Sequence, residues 1–367
     1  MSNEIRPFRI DIPQADIDDL NDRLARTRWG APPPGDGWDG GVPAAFMKEL
    51  AEYWRTGFDW RVQEARFNGF PQFVTEIDGY DVHFLHVRSD DPDALPVLLV
   101  HGWPNSFAEF ADLIRPLTER GFHVVVPSTP GVGFSAAPRE RTGWDASRVA
   151  RMWAELMRRL GYDRYGVEGG DFGAYVAPEV AKAAPDAVVG VYVISGLGFP
   201  TEQDVPDMLP EEKEQYDLMQ QWAGAEVLDH HHVNRIAPRT FAYGWDDSPV
   251  AALAWMTHKF NDFATGAFDA VDRDLFLANV ALYWFTRSFG TASWPYRAQG
   301  GTMTWPEGQK NVPSGTYSGP PGIRRLAERT NEIVHWGEGN PGTHHFVAME
   351  EPTAVAADMK LFFDKVR

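Results

Sequence analysis

The chain has 367 residues, more than one ordinary domain and fewer than three, which suits one large core with inserted or appended pieces. Its 34 basic against 52 acidic residues leave a net charge of -18, which opposes binding to phosphate backbones or anionic membrane surfaces and argues against nucleic acid as a partner. No cysteine is present, which removes disulfides, thiolate catalysis and cysteine-built metal sites, so any nucleophile must be oxygen or nitrogen.

The opening Met1 to Arg6 lacks a basic start followed by an apolar run. Nor does any stretch approach the roughly 18 apolar residues of a membrane span. The expectation is a soluble cytoplasmic protein with no membrane partner. Ile12, Ile17, Leu20, Leu24 and Trp29 recur at helical spacing behind Pro13, and a Gly/Pro loop runs from Gly30 to Gly41. Phe46, Leu50, Tyr53 and Trp54 give a second helix its apolar face, and alternation from Phe73 to Val87 reads as paired strands. These first 90 residues form an N-terminal extension.

From Pro96 the pattern changes. Val97 to Val100 is an unbroken apolar run ending in His101-Gly102-Trp103-Pro104, as a buried parallel strand ending in a tight loop would be. Strands at His123–Val126, Tyr165–Glu168 and Val188–Ser195 alternate with helices over Ser147–Leu160 and from Tyr175, in the βαβ manner. After Phe199 the alternation stops, and Pro210 to Phe289 is helical in pattern, notably Val250–Phe263 and Leu275–Phe289. Strands return at Gln309–Pro313 and Glu332–Trp336, and a helix over Thr353–Val366 closes the chain. The predicted architecture is an α/β core of mostly parallel sheet over 91–198 and 291–367, with a helical cap over 199–290. No internal repeat or low-complexity tract interrupts it.

Gly169-Gly170-Asp171-Phe172-Gly173, directly after a strand and before a helix, has nucleophile-elbow spacing with aspartate where serine usually stands. A carboxylate attacking an ester would only make an anhydride, whereas at a saturated carbon it displaces a leaving group to give an ester. That chemistry selects epoxides or alkyl halides. The same residues also fit a plain glycine-rich turn whose aspartate caps the next helix. The His101 to Pro104 loop is placed to lend the Trp103 amide to an oxyanion hole, paired with the Phe172 amide. His344-His345-Phe346 follows the last strand, where the histidine base of an α/β-hydrolase sits; a surface histidine pair is the alternative.

Taken together these residues resemble the microsomal-type epoxide hydrolases. The resemblance spans nearly the whole chain: Pro7-Phe8-Arg9-Ile10, Tyr53-Trp54-Arg55, Phe58-Asp59-Trp60, the His101 to Pro104 loop, Pro127 to Ser135, the Asp171 elbow, Asp247-Ser248-Pro249-Val250, and His345 through Glu350-Glu351-Pro352. It implies an α/β-hydrolase fold with a lasso-like N-terminal extension and no cofactor or metal. Asp171 would attack the epoxide carbon, His345 would activate water against the ester, and Trp103 and Phe172 would hold the oxyanion. Tyr296, at the position of the tyrosine that follows the cap, would donate to the epoxide oxygen, because a bare alkoxide is a costly leaving group.

Three departures stand beside these matches. His230, within Asp229-His230-His231-His232, occupies the place of the second, cap tyrosine. It could donate to the epoxide oxygen or cradle a halide, while adjacent histidines seldom converge on one metal ion. The acid that should orient His345 is absent from both family positions, here Ala298 and Gly322. Glu307, the only carboxylate between Asp274 and Glu328, either folds back onto the histidine or is a solvated loop charge. His344 stands where the family has glycine. The expected function is hydrolysis of a bulky hydrophobic or aromatic epoxide to a vicinal diol through an aspartyl ester, as in secondary metabolism, with Pro104 and His230 lining the substrate site. The alternatives are a dehalogenase-like or non-hydrolytic ring-opening enzyme, and a silent small-ligand-binding homologue. A homodimer is allowed for, with nothing in the sequence deciding it.

Overall fold

The computed structural model describes residues 4–31, 35, 37–140, 143–194, 197–224, 230–263, 267–298, 307–317, 322–337 and 345–367. Nine strands form one sheet: β1 (Ile5–Phe8), β2 (Gln72–Ile77), β3 (Tyr80–Val87), β4 (Leu95–Val100), β5 (Phe122–Pro127), β6 (Tyr165–Gly170), β7 (Val188–Ile194), β8 (Pro313–Tyr317) and β9 (Glu332–Gly337). Their order is β1-β2-β3-β5-β4-β6-β7-β8-β9. The first three run antiparallel along one flank, and β4 to β9 are parallel.

The central parallel strands β4 and β7 are apolar throughout, and β5 nearly so, because helices cover both faces of the sheet there. Alternate residues face opposite sides. Leu98, Val100, Val125, Val167 and Val193 pack with the helices Ala146–Arg159 and Phe172–Ala183, while Val97, Leu99, Val124, Val126 and Tyr192 face the closing helix Pro352–Val366. On that second face, Gly166 of β6, Gly190 of β7 and Gly315 of β8 make a shallow trough for two rings of the closing helix. A Cβ at Gly166 would lie 2.2 Å from Phe363, and one at Gly315 would lie 2.5 Å from Phe362.

The predicted strand at Gln309–Pro313 lies four residues further on. The Gln309 side chain accepts from the Asn311 and Val312 amides at 2.8 and 2.9 Å, a turn that holds the chain off the sheet until Pro313. Residues 5–8 and 72–87 of the extension are hydrogen-bonded into the main sheet, since β3 pairs with β5. The intervening helices instead hold the helical region that follows β7. Tyr53 Oη donates to Asp274 at 2.7 Å beneath the Arg273 guanidinium, Arg23 reaches Asp247 at 3.0 Å, and Trp60 packs edge-on against Phe285. Between β7 and β8 stand the helices Pro210–Gly224, His230–Ile236, Pro238–Trp245, Pro249–Phe263 and Arg273–Thr286, which carry His230 and Phe263 over the C-terminal ends of the strands. Among the described residues no helix is long and apolar enough to cross a membrane.

Candidate active site

The elbow forms because three glycines allow backbones to meet. A Cβ at Gly173 would fall 2.0 Å from the Val100 carbonyl oxygen, and one at Gly169 would fall 2.2 Å from that of Gly173. The strand and helix therefore approach closely only with glycine at both places. Asp171 between them takes φ +50° and ψ −120°, a conformation costly for a residue with a side chain, which lifts its carboxyl out of the strand end. Gly102 faces it from the other loop, where a Cβ would lie 2.4 Å from the Asp171 Cβ.

The two oxygens of Asp171 have different surroundings. Oδ1 accepts from the Trp103 amide at 2.9 Å and from the Phe172 amide at 2.7 Å. Oδ2 faces Nε2 of His345 at 3.5 Å. Burial alone would raise this carboxyl, but the His345 ring and the two amides outweigh it and hold it below its ordinary value, so it is ionised at neutral pH.

Aromatic rings enclose the carboxylate. His230 lies parallel to Trp103 at 5.1 Å, and Phe263, Trp255 and Tyr296 all pack against the same indole. Burial pushes His230 well below its ordinary value, so it is neutral and has one N–H to donate. The Tyr296 hydroxyl is raised well above its usual range by burial and then by the charge of Asp171, so it keeps its proton. Its short helix Trp294–Ala298 is pinned by Trp294, whose Nε1 donates to the Pro130 carbonyl at 2.5 Å.

The loop behind the amides is tied to the helix Arg273–Thr286. Asn279 Nδ2 donates to the Pro104 carbonyl at 2.9 Å, Ser106 Oγ donates to Asn279 Oδ1 at 2.7 Å, and Tyr283 Oη donates to the Asn105 carbonyl at 2.7 Å. Pro104 is buried, with its carbonyl committed to that network, and follows a cis peptide bond. Among the described residues no three His, Asp or Glu side chains are grouped to hold a metal ion.

The fold thus brings Asp171, Trp103, Phe172, His345, Tyr296 and His230 together, and it leaves Glu307 out. That carboxylate is 90% exposed and lies 3.7 Å from Lys182 Nζ. Lys182 is near the far end of the helix after Asp171, about 16 Å along it at 1.5 Å per residue. Glu307 is therefore a solvated loop charge and does not orient the histidine. Asp171 is the one carboxylate within 4.0 Å of the His345 ring among the described residues. The ring is held instead by Phe263, stacked on it at 4.6 Å and 19°. Gly322 carries no acid, and His344 lies outside the described residues. The sequence reading missed Glu168, fully buried behind the nucleophile, and Glu109, whose Oε2 is buried; an acid within the strand Tyr165–Gly170 and the turn Phe107–Phe110 was the available signal.

Two family models match the chain, one described as epoxide hydrolase N terminus over residues 5–110 and one as alpha/beta hydrolase fold over residues 96–282. A putative epoxide hydrolase of Stigmatella aurantiaca is 37% identical over 99% of this chain and 86% of its own length. Epoxide hydrolase 1 of Oryctolagus cuniculus is 32% identical over 98% and 88%. Among solved structures, the Aspergillus niger epoxide hydrolase superposes with a TM-score of 0.87 at 30% identity, covering 99% of this chain and 97% of that one. The juvenile hormone epoxide hydrolase of Bombyx mori gives 0.84 at 25% identity, covering 100% and 95%.

Proposed function

The chain belongs to the microsomal-type epoxide hydrolases and is a hydrolase of that class, and from that premise we propose that it opens bulky hydrophobic or aromatic epoxides to vicinal diols through an ester on Asp171. The observation that carries this reading is the division of labour within one carboxylate: Oδ1 is held by two amides while Oδ2 faces the enclosed space and His345.

In the first half-reaction Oδ2 forms a bond to a ring carbon as the ring C–O bond breaks, and the departing oxygen takes the Tyr296 proton. His230 supplies the second hydrogen bond, in the place that a tyrosine takes in relatives. In the second, Nε2 of His345 takes a proton from water, the hydroxide adds to the Asp171 carboxyl carbon, and the charge collects on Oδ1 between the Trp103 and Phe172 amides. Collapse breaks the bond from the carboxyl carbon to Oδ2, the departing alkoxide takes the proton of the newly formed Asp171 carboxyl and leaves as the diol, and the proton on His345 passes to Tyr296 to restore it. The ring of Trp103, His230, Phe263 and Tyr296 favours a substrate with an aryl or bulky apolar face, and the residues at 199–290 act as the cap that supplies His230 and Phe263 to it.

A panel of aryl and alkyl epoxides beside matched haloalkanes tests the assignment. Diol from the aryl epoxides with no halide release is expected; halide release at a comparable rate would favour a dehalogenase in which His230 cradles the anion. Turnover of neither would leave a ligand-binding protein. The donor roles have their own test in the rate of ester formation. Tyr296→Phe is expected to cost about 10²-fold and His230→Phe about tenfold, since each leaves the other donor in place. An unchanged rate in His230→Phe would make Tyr296 the sole donor.

A further inference from the structure

In the chemistry above the aim of the Tyr296 hydroxyl decides how well it donates, yet among the described residues no hydrogen bond holds that hydroxyl. The side chain is held by packing instead. Trp103 lies 5.6 Å from the tyrosine ring at 85°, His230 lies 5.5 Å from it at 90°, and His231 lies 5.0 Å from it at 83°. Trp103 and His230 are stacked within 9° of parallel, so together they present one flat wall to which the tyrosine stands perpendicular. Such perpendicular contacts set the positive edge of one ring on the negative face of another, which gives them a preferred geometry. His231 is the nearest of the three rings, and the chemistry above gives it no part.

Two adjacent histidines reach one tyrosine because successive side chains on a helix point about 100° apart. At the start of the helix His230–Ile236, the His230 ring turns onto the Trp103 indole and is buried. The His231 ring, 4.3 Å from it and tilted by 44°, is half-buried and meets the Tyr296 ring at right angles. That helix packs against the short helix Trp294–Ala298. Trp294 anchors the backbone there through its bond to the Pro130 carbonyl, but an anchored backbone leaves the side-chain torsions of Tyr296 to be set by the rings around it. Loss of one of the three rings would leave a gap into which the tyrosine could tilt.

Resting on the ring-opening reading, we infer that His231 is a positioning residue for ester formation: its ring closes the box around Tyr296 and keeps the hydroxyl aimed at the departing epoxide oxygen. It acts by shape and through Tyr296. Its effect therefore falls on the first half-reaction, and the second, which runs on His345 and the Trp103 and Phe172 amides, proceeds without it.

The test follows both half-reactions by rapid quench with an aryl epoxide, in the wild type, His231→Ala, His231→Phe, Tyr296→Phe and the double variant of His231→Ala with Tyr296→Phe. His231→Ala is expected to slow ester formation about tenfold, since a misplaced donor loses much of its effect, and to leave ester breakdown unchanged. His231→Phe keeps a flat ring in place and should restore most of the rate. In the Tyr296→Phe background the alanine should cost nothing further, because the hydroxyl that it would misplace is already gone. Equal loss in His231→Phe and His231→Ala, equal slowing of both half-reactions, or a full additional loss in the double variant overturns the inference. If His231→Ala does not fold, the wild-type Tyr296 ring decides the matter, labelled with 13C and assigned by its absence from Tyr296→Phe. A ring that flips slowly is boxed and supports the inference, and one that flips rapidly overturns it. A wild type that forms no ester with any epoxide would instead overturn the ring-opening reading, and an unchanged rate of formation in Tyr296→Phe would overturn the donor role, in either case taking this inference with it.

Discussion

Asp171→Asn is expected to abolish diol formation from every epoxide that the wild-type chain opens, with a fall of at least about 10⁴-fold in kcat/KM. The amide keeps the shape of the carboxylate and an oxygen for the Trp103 and Phe172 amides, so the oxyanion hole and the elbow should persist. What it removes is the negative charge on Oδ2, and no neighbour can replace it. Burial raises Glu109 to about 8 and pushes Glu168 well above the ordinary carboxylate range, so at neutral pH neither is a nucleophile. Intact mass should be followed alongside the assay to confirm that the amide persists. Full diol formation by a chain that still carries asparagine would remove Asp171 from the mechanism.

Much of this site could be read before any coordinates, for reasons that are local. The elbow glycines announce themselves because close strand–helix approach has one chemical solution, which the 2.0 Å distance from a notional Gly173 Cβ to Val100 makes explicit. β4, β5 and β7 were legible as largely apolar runs because both faces are covered. β1 was not, since Ile5–Phe8 is a short edge strand that carries Arg6 and Pro7. Glu307 misled for a related reason: its place in the sequence set which loop it was on, while its partner Lys182 was set by tertiary packing. Glu168 stayed hidden because a glutamate in sequence is presumed solvated, and only the surrounding sheet and helices make it a buried acid. The support of His345 by Phe263 is likewise a contact between elements more than 80 residues apart, and no spacing encodes it.

That support bears on the slow step. In hydrolases of this geometry the histidine usually meets a carboxylate on its far nitrogen, which fixes the tautomer and stabilises the imidazolium, and losing that partner costs up to about 10⁴-fold in serine enzymes. Stacking at 4.6 Å on Phe263 fixes the plane of the His345 ring but not which nitrogen carries the proton. Ring opening does not depend on that choice, because Asp171 attacks and Tyr296 and His230 donate. Ester hydrolysis does depend on it, because Nε2 must be free to accept a proton from water. Formation should therefore outrun breakdown. When the wild type is mixed with excess epoxide and quenched within a few turnovers, most of the chain is expected to carry one epoxide mass on the peptide containing Asp171, with the breakdown rate equal to kcat. His345→Gln should make that adduct persist for hours. A carboxylate that reaches His345 in solution would restore fast hydrolysis, and the wild type would then show no adduct at any time with an epoxide that it turns over. That result would place the slow step at ring opening and shift the burden to the Tyr296 and His230 donors.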